Sequence, residues 1–465
     1  MQQNLVRAEG REVAKWCLAA SAVWMAVVMT IGFIASLQML FPGLNDISWL
    51  SFVRLRVIHV NGVLFAFLTM AYLGAIYYLV PKLTGGKLPE GVAKASFWLL
   101  NGIVVLAVLS FLSGRTEGRE YAELPRPLDL LVVVFWVMMT YAAFKTVLTG
   151  TEKRWYVTLW FFLQSIIWLG FCYLVGMVPL GGIADSVALW AYGHGVLNGW
   201  FQTMALGILY WVIPVTIGRP VFSHVLSLIH FWALVVLMFP GSNHHLIQAP
   251  IPEWLKFVTI AFSVGMLLPA SIFFTNMFQS LKGNWYQLRR SDTDGLALKF
   301  AVAGVTFYLL NCIFAAIQSI RPVNAFIHAT QWVVGHAHMA VIGVSAIPTL
   351  ALIYAAMRRL TGQEVPSLRL GHLHFWLTVI GYIGVIATLK IAGIVQGIHR
   401  AASIPFEQTM DTMRIFYATR SFFGLLLVIG AWICTYLVVK WFLIKPVPER
   451  VTELESLERQ AIAVH

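Results

Sequence analysis

The sequence predicts an all-α integral membrane protein with twelve transmembrane helices. Three observations carry the prediction. Charged residues make up only 11% of the 465 residues and hydrophobic ones 59%, whereas a soluble domain carries about 25% charged residues. Twelve apolar runs come close to or exceed the roughly 20 residues that cross a bilayer. None of them alternates in segments of about 10 residues as barrel strands do, and a spanning backbone must satisfy its own polar groups, which leaves helices.

The runs fall at 13–40, 56–80, 94–113, 128–149, 154–178, 187–216, 222–240, 254–282, 294–318, 329–357, 371–398 and 415–443. The first follows a mixed-charge stretch (Arg7, Glu9, Arg11, Glu12, Lys15). It is too long for a signal-peptide core and lacks a clear cleavage site, so it is expected to remain as a helix. The connections are short and the composition does not change along the chain. One transmembrane domain over 1–445 is expected, with a charged tail, 446–465, in water. No repeat period is apparent. A transporter would show internal repeats, broken helices and polar sites at mid-depth.

The net charge of +12 would point to nucleic acid in a soluble protein. In this chain the positive-inside rule accounts for it. With a cytoplasmic N-terminus, Lys82, Lys87, Lys153, Arg154, Arg219, Lys282, Arg289, Arg290, Arg358, Arg359 and Arg369 fall in inner loops. The outer loops then carry the smaller set Arg54, Arg56, Arg115, Arg119, Arg126, Arg321 and Arg400. Both termini are expected in the cytoplasm, and the partner of the apolar surface is membrane lipid. The four cysteines (Cys17, Cys172, Cys312, Cys434) sit in separate spans without a C-x-x-C. They are expected to be small packing residues, and no haem c attachment motif is present.

Histidines carry the chemistry. Ionisable groups inside a membrane are costly and default to function. His59 lies near the outer start of the second span, His194 in the outer part of the sixth, His244 and His245 just past the seventh, and His336 and His338 near the outer start of the tenth. Six imidazoles from four spans thus share one depth, which reads as a metal or haem layer. Residues two apart on a helix point about 200° from each other, so His336 and His338 face different partners. One haem between His59 and His338, one on His336, and one metal on His194, His244 and His245 account for all six. His224, His230, His328, His372, His374 and His399 are read as hydrogen-bonded structural residues.

These motifs resemble subunit I of the haem–copper oxidase superfamily over nearly the whole chain. The carriers are G-H-A-H in the tenth span, H-H after the seventh and the H-x3-N of His194 and Asn198 in the sixth, where W-A-Y-G-H is also oxidase-like. Two branches are resembled: the catalytic subunit of cbb-type (C-type) cytochrome c oxidases, in RLRVIHVNGVLFAF, GREYAELPRPLDLL and LSLIHFWAL, and that of cytochrome c-dependent nitric oxide reductase, in IRPVNAFIHATQ and GHAHMA. The resemblance implies the twelve-helix bundle of that superfamily, in a bacterial cytoplasmic (inner) membrane. It gives His59 and His338 as ligands of a low-spin haem b and His336 as the ligand of a high-spin haem b. His194, His244 and His245 become ligands of a facing copper or non-haem iron. Glu120 and Glu123 resemble an acidic pair that helps hold calcium near the haem propionates. Arg54, Arg56 and Arg321 stand at the depth of those propionates, which suit Arg forks.

Two departures bear on the substrate. The reductases place a glutamate four residues after the first metal histidine and another four further on; here Asn198 and Gln202 stand there. Three imidazoles without a carboxylate suit copper. The C-type oxidases place a redox-active tyrosine six residues before the H-H pair; here it is Met238. Two reductase residues are lost against one oxidase residue, so O₂ reduction is expected and NO reduction is the alternative. Either reaction needs protons. Asn198, Gln202 and Thr203 are candidates for the route, with Ser223, His224, Ser227 and His230 on the next span. No electron-entry cofactor is encoded, so a small membrane subunit carrying haem c or a copper centre, fed by a cytochrome c-type donor, is the implied partner.

Overall fold

The structure, a computed structural model, describes residues 10–462; Arg7 and Glu9 lie outside them. Every named element among the described residues is helical. Eleven helices are long and apolar enough to cross a membrane. In chain order they are α1 (Arg11–Leu40), α2 (Ser48–Thr84), α3 (Glu90–Leu112), α4 (Arg126–Leu148), α5 (Val157–Met177), α6 (Gly182–Ile217), α8 (Glu253–Leu281), α9 (Thr293–Ser319), α10 (Gln331–Thr361), α11 (Leu368–Ala401) and α12 (Phe406–Phe442). The remaining expected span is α7 (His224–Met238), which bends by 45° into a 3₁₀ segment, Pro240–Leu246. Pro240 cannot donate to the preceding turn and its ring crowds it, so the α-helix stops before it. Among the described residues the bundle thus has eleven candidate crossings and one bent by more than 40°.

Large apolar side chains such as Leu148, Trp98, Phe257 and Trp376 are exposed around the bundle, as expected of a lipid-facing surface. α2, α6 and α10 run through its middle. Their apolar cores are 94%, 100% and 83% buried, against 61% or less for the other spans.

These three helices are built alike, a repeat that the sequence reading missed. Each ends in a left-handed glycine cap: Gly85, Gly218 and Gly362, with φ of 67°, 69° and 67°. Each glycine N–H closes on the carbonyl four residues back, that of Pro81, Pro214 or Arg358. Left-handed φ is costly for any residue with a Cβ. Eight residues before each glycine stands a buried tyrosine that bonds to the following span: Tyr77 to Ser96 (2.6 Å), Tyr210 to His230 Nδ1 (3.0 Å) and Tyr354 to His374 Nδ1 (2.9 Å). The same spacing extends to the other end. His59, Tyr192 and His336 share one register position, and Asn61, His194 and His338 share the position two residues on. The spacing escaped notice because only three short residue patterns recur, separated by unrelated apolar sequence.

Each repeat also contains a π-helical stretch: Gly62–Thr69, Leu197–Gln202 and Met339–Ala346. Each begins three residues after the first register position or, for α6, after His194. A π turn inserts an extra residue into the i→i+4 ladder and frequently marks a functional site.

The C-terminal ends of α2, α6 and α10 are tied together by charge. The tail expected in water instead forms a helix, α13 (Pro448–Ala461), with Val451, Glu458 and Ala461 buried against the bundle. Glu458 pairs with Lys82 of α2 at 2.6 Å, accepts from Trp211 Nε1 of α6 at 2.7 Å and lies 3.8 Å from Arg359 of α10. Arg359 also pairs with Asp294 at 2.9 Å. All four cysteines are buried and free, as expected.

Candidate metal centre

Toward the opposite ends of the same three helices stand His59, His194, His336 and His338, with His244 and His245 beside them on the bent segment. His194 of α6 meets His244 and His245 of the bent segment, and one nitrogen from each lies within 4.8 Å of the others. This is the sole such cluster of metal-ligating side chains among the described residues. The bend after α7 makes it possible, because it turns two adjacent residues back toward α6. His244 is oriented from behind. Ser263 Oγ donates to the Thr259 carbonyl at 2.6 Å and sits 2.8 Å from His244 Nδ1. With its one proton used, the hydroxyl must accept from Nδ1–H, which leaves Nε2 of His244 for a metal. His245 is clamped by Trp190, whose ring stacks on it at 3.8 Å and 8°.

His59 and His338 face one another with ring centroids 6.4 Å apart and planes 21° apart. That gap admits one metal–nitrogen bond of about 2 Å on each side. Both rings present Nε2 for the same reason: His59 Nδ1 lies 2.8 Å from the Val28 carbonyl and His338 Nδ1 2.8 Å from that of Val334. Gly32 makes room for the His59 ring, since a Cβ there would come within 2.4 Å of it. His336, two residues before His338, leaves a buried Nδ1 without a hydrogen-bond partner. α6 and α10 pack against each other along their π stretches. The donor set fits its expected groups: an opposed imidazole pair for a six-coordinate haem iron, a single imidazole for a five-coordinate one, and three converging imidazoles for one further metal.

The sequence pattern of the family described as "Cytochrome C and Quinol oxidase polypeptide I" matches residues 12–426. The chain belongs to this family. Its fold is that of a solved haem–copper terminal oxidase dimer, with a TM-score of 0.79 over 93% of this chain and 85% of that one at 16% identity. Among curated relatives, the cbb3-type cytochrome c oxidase subunit CcoN1 of Stutzerimonas stutzeri is 32% identical over 81% of this chain and 82% of its own length. The cytochrome c oxidase subunit 1 homolog of Agrobacterium tumefaciens is 30% identical over 91% and 82%. A nitric oxide reductase polypeptide of Stutzerimonas stutzeri is 27% identical over 91% and 93%. The protein is thus a haem–copper oxidase polypeptide I, an oxidoreductase of the bacterial membrane.

The other candidate residues of this oxidase polypeptide are more dispersed. Asn198 donates to the His194 carbonyl at 3.1 Å, Gln202 is buried with its Nε2 unpaired, and Thr203 Oγ1 lies 2.5 Å from Ser165 Oγ. The three arginines already have protein partners: Arg54 the Leu112 carbonyl (2.6 Å), Arg56 Glu120 (2.7 Å) and Arg321 Glu253 (2.7 Å). Glu123 is buried and accepts from Asn61 at 3.2 Å. Burial pushes its carboxyl above the usual range, with the Asn61 bond opposing that, a condition that a neighbouring cation would relieve. The same loop reaches Tyr192, whose hydroxyl donates to the Tyr121 carbonyl at 2.7 Å. The two register positions without a histidine are thus held by this loop. Of the histidines read as structural, His230 bonds Tyr210 at 3.0 Å, His374 bonds Tyr354 at 2.9 Å and His399 bonds Thr409 at 3.1 Å.

Two basic residues near the histidines, half-buried Arg420 and buried Lys390, went unnoticed in the sequence. Arg420 of α12 bonds Ser36 and Met39, and Lys390 of α11 finds no hydrogen-bond partner. Each is a lone charge inside an apolar run, and that signal alone could have found them.

Proposed function

We propose that this chain is the catalytic subunit of a terminal oxidase that reduces O₂ to water. His336 would hold a high-spin haem b, His194, His244 and His245 a facing copper, and His59 with His338 a low-spin haem b. The observation that carries the reading is the trihistidine cluster without a carboxylate, Asn198 and Gln202 standing where an iron site would place acids. Three imidazoles suit copper, while iron prefers an added anionic oxygen. The higher identity to the named oxidases than to the reductase points the same way. When bound, the haem and copper together would bind the diatomic substrate and pass electrons to it.

The chain's own part is to orient ligands and deliver protons. Ser263 and Trp190 hold His244 and His245 in place. A polar file approaches from the other end of the bundle: Asn276 donates to the Ser223 carbonyl and to Ser227 Oγ, each at 3.0 Å, and Tyr210 bonds His230. Thr203 and Gln202 continue toward His194. Electrons would come from a cytochrome c-type donor through a partner subunit carrying haem c or a copper centre. The termini would face the cytoplasm, and calcium would sit at Glu120 and Glu123.

Nitric oxide reduction to N₂O is the second reading, favoured by Met238. That side chain packs toward Gly199 of α6 and can supply neither electron nor proton. Tyr192 does not replace it, since its hydroxyl is turned to Tyr121. Reduction of O₂ takes four electrons, whereas coupling two NO molecules takes two, which haem iron and one metal can supply. Metal analysis of the purified protein, with O₂ and anaerobic NO uptake from reduced cytochrome c, decides between them. Copper with rapid O₂ uptake is expected; iron, or NO turnover far above O₂ turnover, makes the protein a reductase.

A further inference from the structure

We propose that Lys390 raises the reduction potential of the high-spin haem through the positive charge of its protonated form, held at the level of His336. The proposal rests on the assignment of that haem to His336.

The position of Lys390 is fixed by a tight crossing of α10 and α11. A Cβ on Gly393 would lie 2.2 Å from the Trp332 nitrogen. One on Gly335 would lie 3.0 Å from Leu389 Cβ and 3.5 Å from the Lys390 nitrogen. Lys390 therefore stands at the level of Gly335 and His336. Its side chain is 6% exposed, and its ammonium has no hydrogen-bond partner among the described residues. It lies 3.9 Å from the centre of the Trp332 ring and 4.9 Å from that of Phe314. Trp332, four residues before His336, is itself held by a 3.0 Å bond from Nε1 to Gln318.

The aromatic box matters because ring faces hold a cation without cancelling its charge. A carboxylate in the same place would neutralise it. Burial without a counter-ion is costly for an ammonium, so it is in its protonated form, the one that the two ring faces favour, that Lys390 acts. What it can act on here is His336. Ligand imidazoles usually give their second N–H to a carboxylate or carbonyl, which strengthens them as donors to the metal. His59 and His338 do so through Val28 and Val334. His336 Nδ1 lacks such a partner and has the Lys390 cation nearby instead. Both differences weaken electron donation to iron, and charge acts strongly across a medium of low polarisability. The reduced, less positive iron is therefore favoured at the high-spin haem.

The test is a redox titration of the whole complex, with resonance Raman of the reduced high-spin haem. In Lys390→Met the high-spin midpoint should fall and the iron–histidine stretch should rise, while the low-spin midpoint stays. Lys390→Arg, which keeps the charge, should retain both wild-type values. Lys390→Gln is the second neutral variant should the methionine protein not assemble. Unchanged midpoint and stretch in a neutral variant overturns the proposal. Loss of the haem from both neutral variants also overturns it, since the lysine would then be a packing element. Absence of a high-spin haem from the wild-type protein is a different failure, that of the site assignment itself.

Discussion

The two ends of α2, α6 and α10 carry the same three-fold backbone plan and opposite chemistry. At the C-terminal ends most polar groups are matched, although Arg359 Nε and His230 Nε2 are buried without a hydrogen-bond partner. Glycine caps close on carbonyls, tyrosines reach the next span, and Glu458 joins Lys82, Trp211 and Arg359. At the N-terminal ends His336 Nδ1 and Gln202 Nε2 are buried without partners, and His194, His244 and His245 converge where a metal could be held. Buried polar groups in a finished protein are nearly always satisfied. Ion pairs and hydrogen bonds thus gather at one end, and the unpaired His336 nitrogen and the converging histidines at the other.

Mutations should separate the two ends. The largest effect is expected from Gly32→Ala, whose methyl would displace the His59 ring. The low-spin haem spectrum should be lost while the protein stays folded; a normal low-spin spectrum would show that α1 can yield. At the other end, Glu458→Ala takes from Lys82 its shorter carboxylate contact and from Arg359 one of its two nearby carboxylates, and removing one partner of a buried pair costs about 3–5 kcal/mol. A clear fall in thermal stability with unaltered haem spectra is the outcome expected; altered spectra would mean that the two ends are not separable. Ser263→Ala frees His244 from behind, which should weaken metal affinity about 10–100-fold without changing haem content. Equal metal retention after chelator dialysis would count against the orienting role. The smallest change is Thr203→Val, expected to slow turnover and leave every spectrum intact. Unaltered turnover removes Thr203 from the proton route.

How much of this was legible in the sequence differs along the chain. The spans were, because apolar length is a local property, and so were the six histidines, because an imidazole inside such a span is rare enough to be noticed. The bend at Pro240 was readable in principle, yet a run across 222–240 conceals it, since hydropathy does not register a missing N–H. Docking of α13 was not legible. A helix with Glu449, Glu453, Glu455 and Glu458 looks solvated until Lys82 and Arg359, distant in the chain, are seen to meet it. The repeat was hidden because Tyr192 and Asn61 occupy histidine positions and are held by the loop that carries Tyr121 and Glu123.

His336 and His338 ride on one rod. A tilt of α10 swings both rings together and leaves their separation unchanged, as with two marks on a ruler. What such a tilt does alter is the distance from that rod to His194, His244 and His245, which belong to α6 and to the bent segment after α7. The arrangement is that of a vice: the histidines of α10 form one jaw, and the other is hung from a separate arm, so relative movement of the two opens or narrows the space where a small molecule would sit.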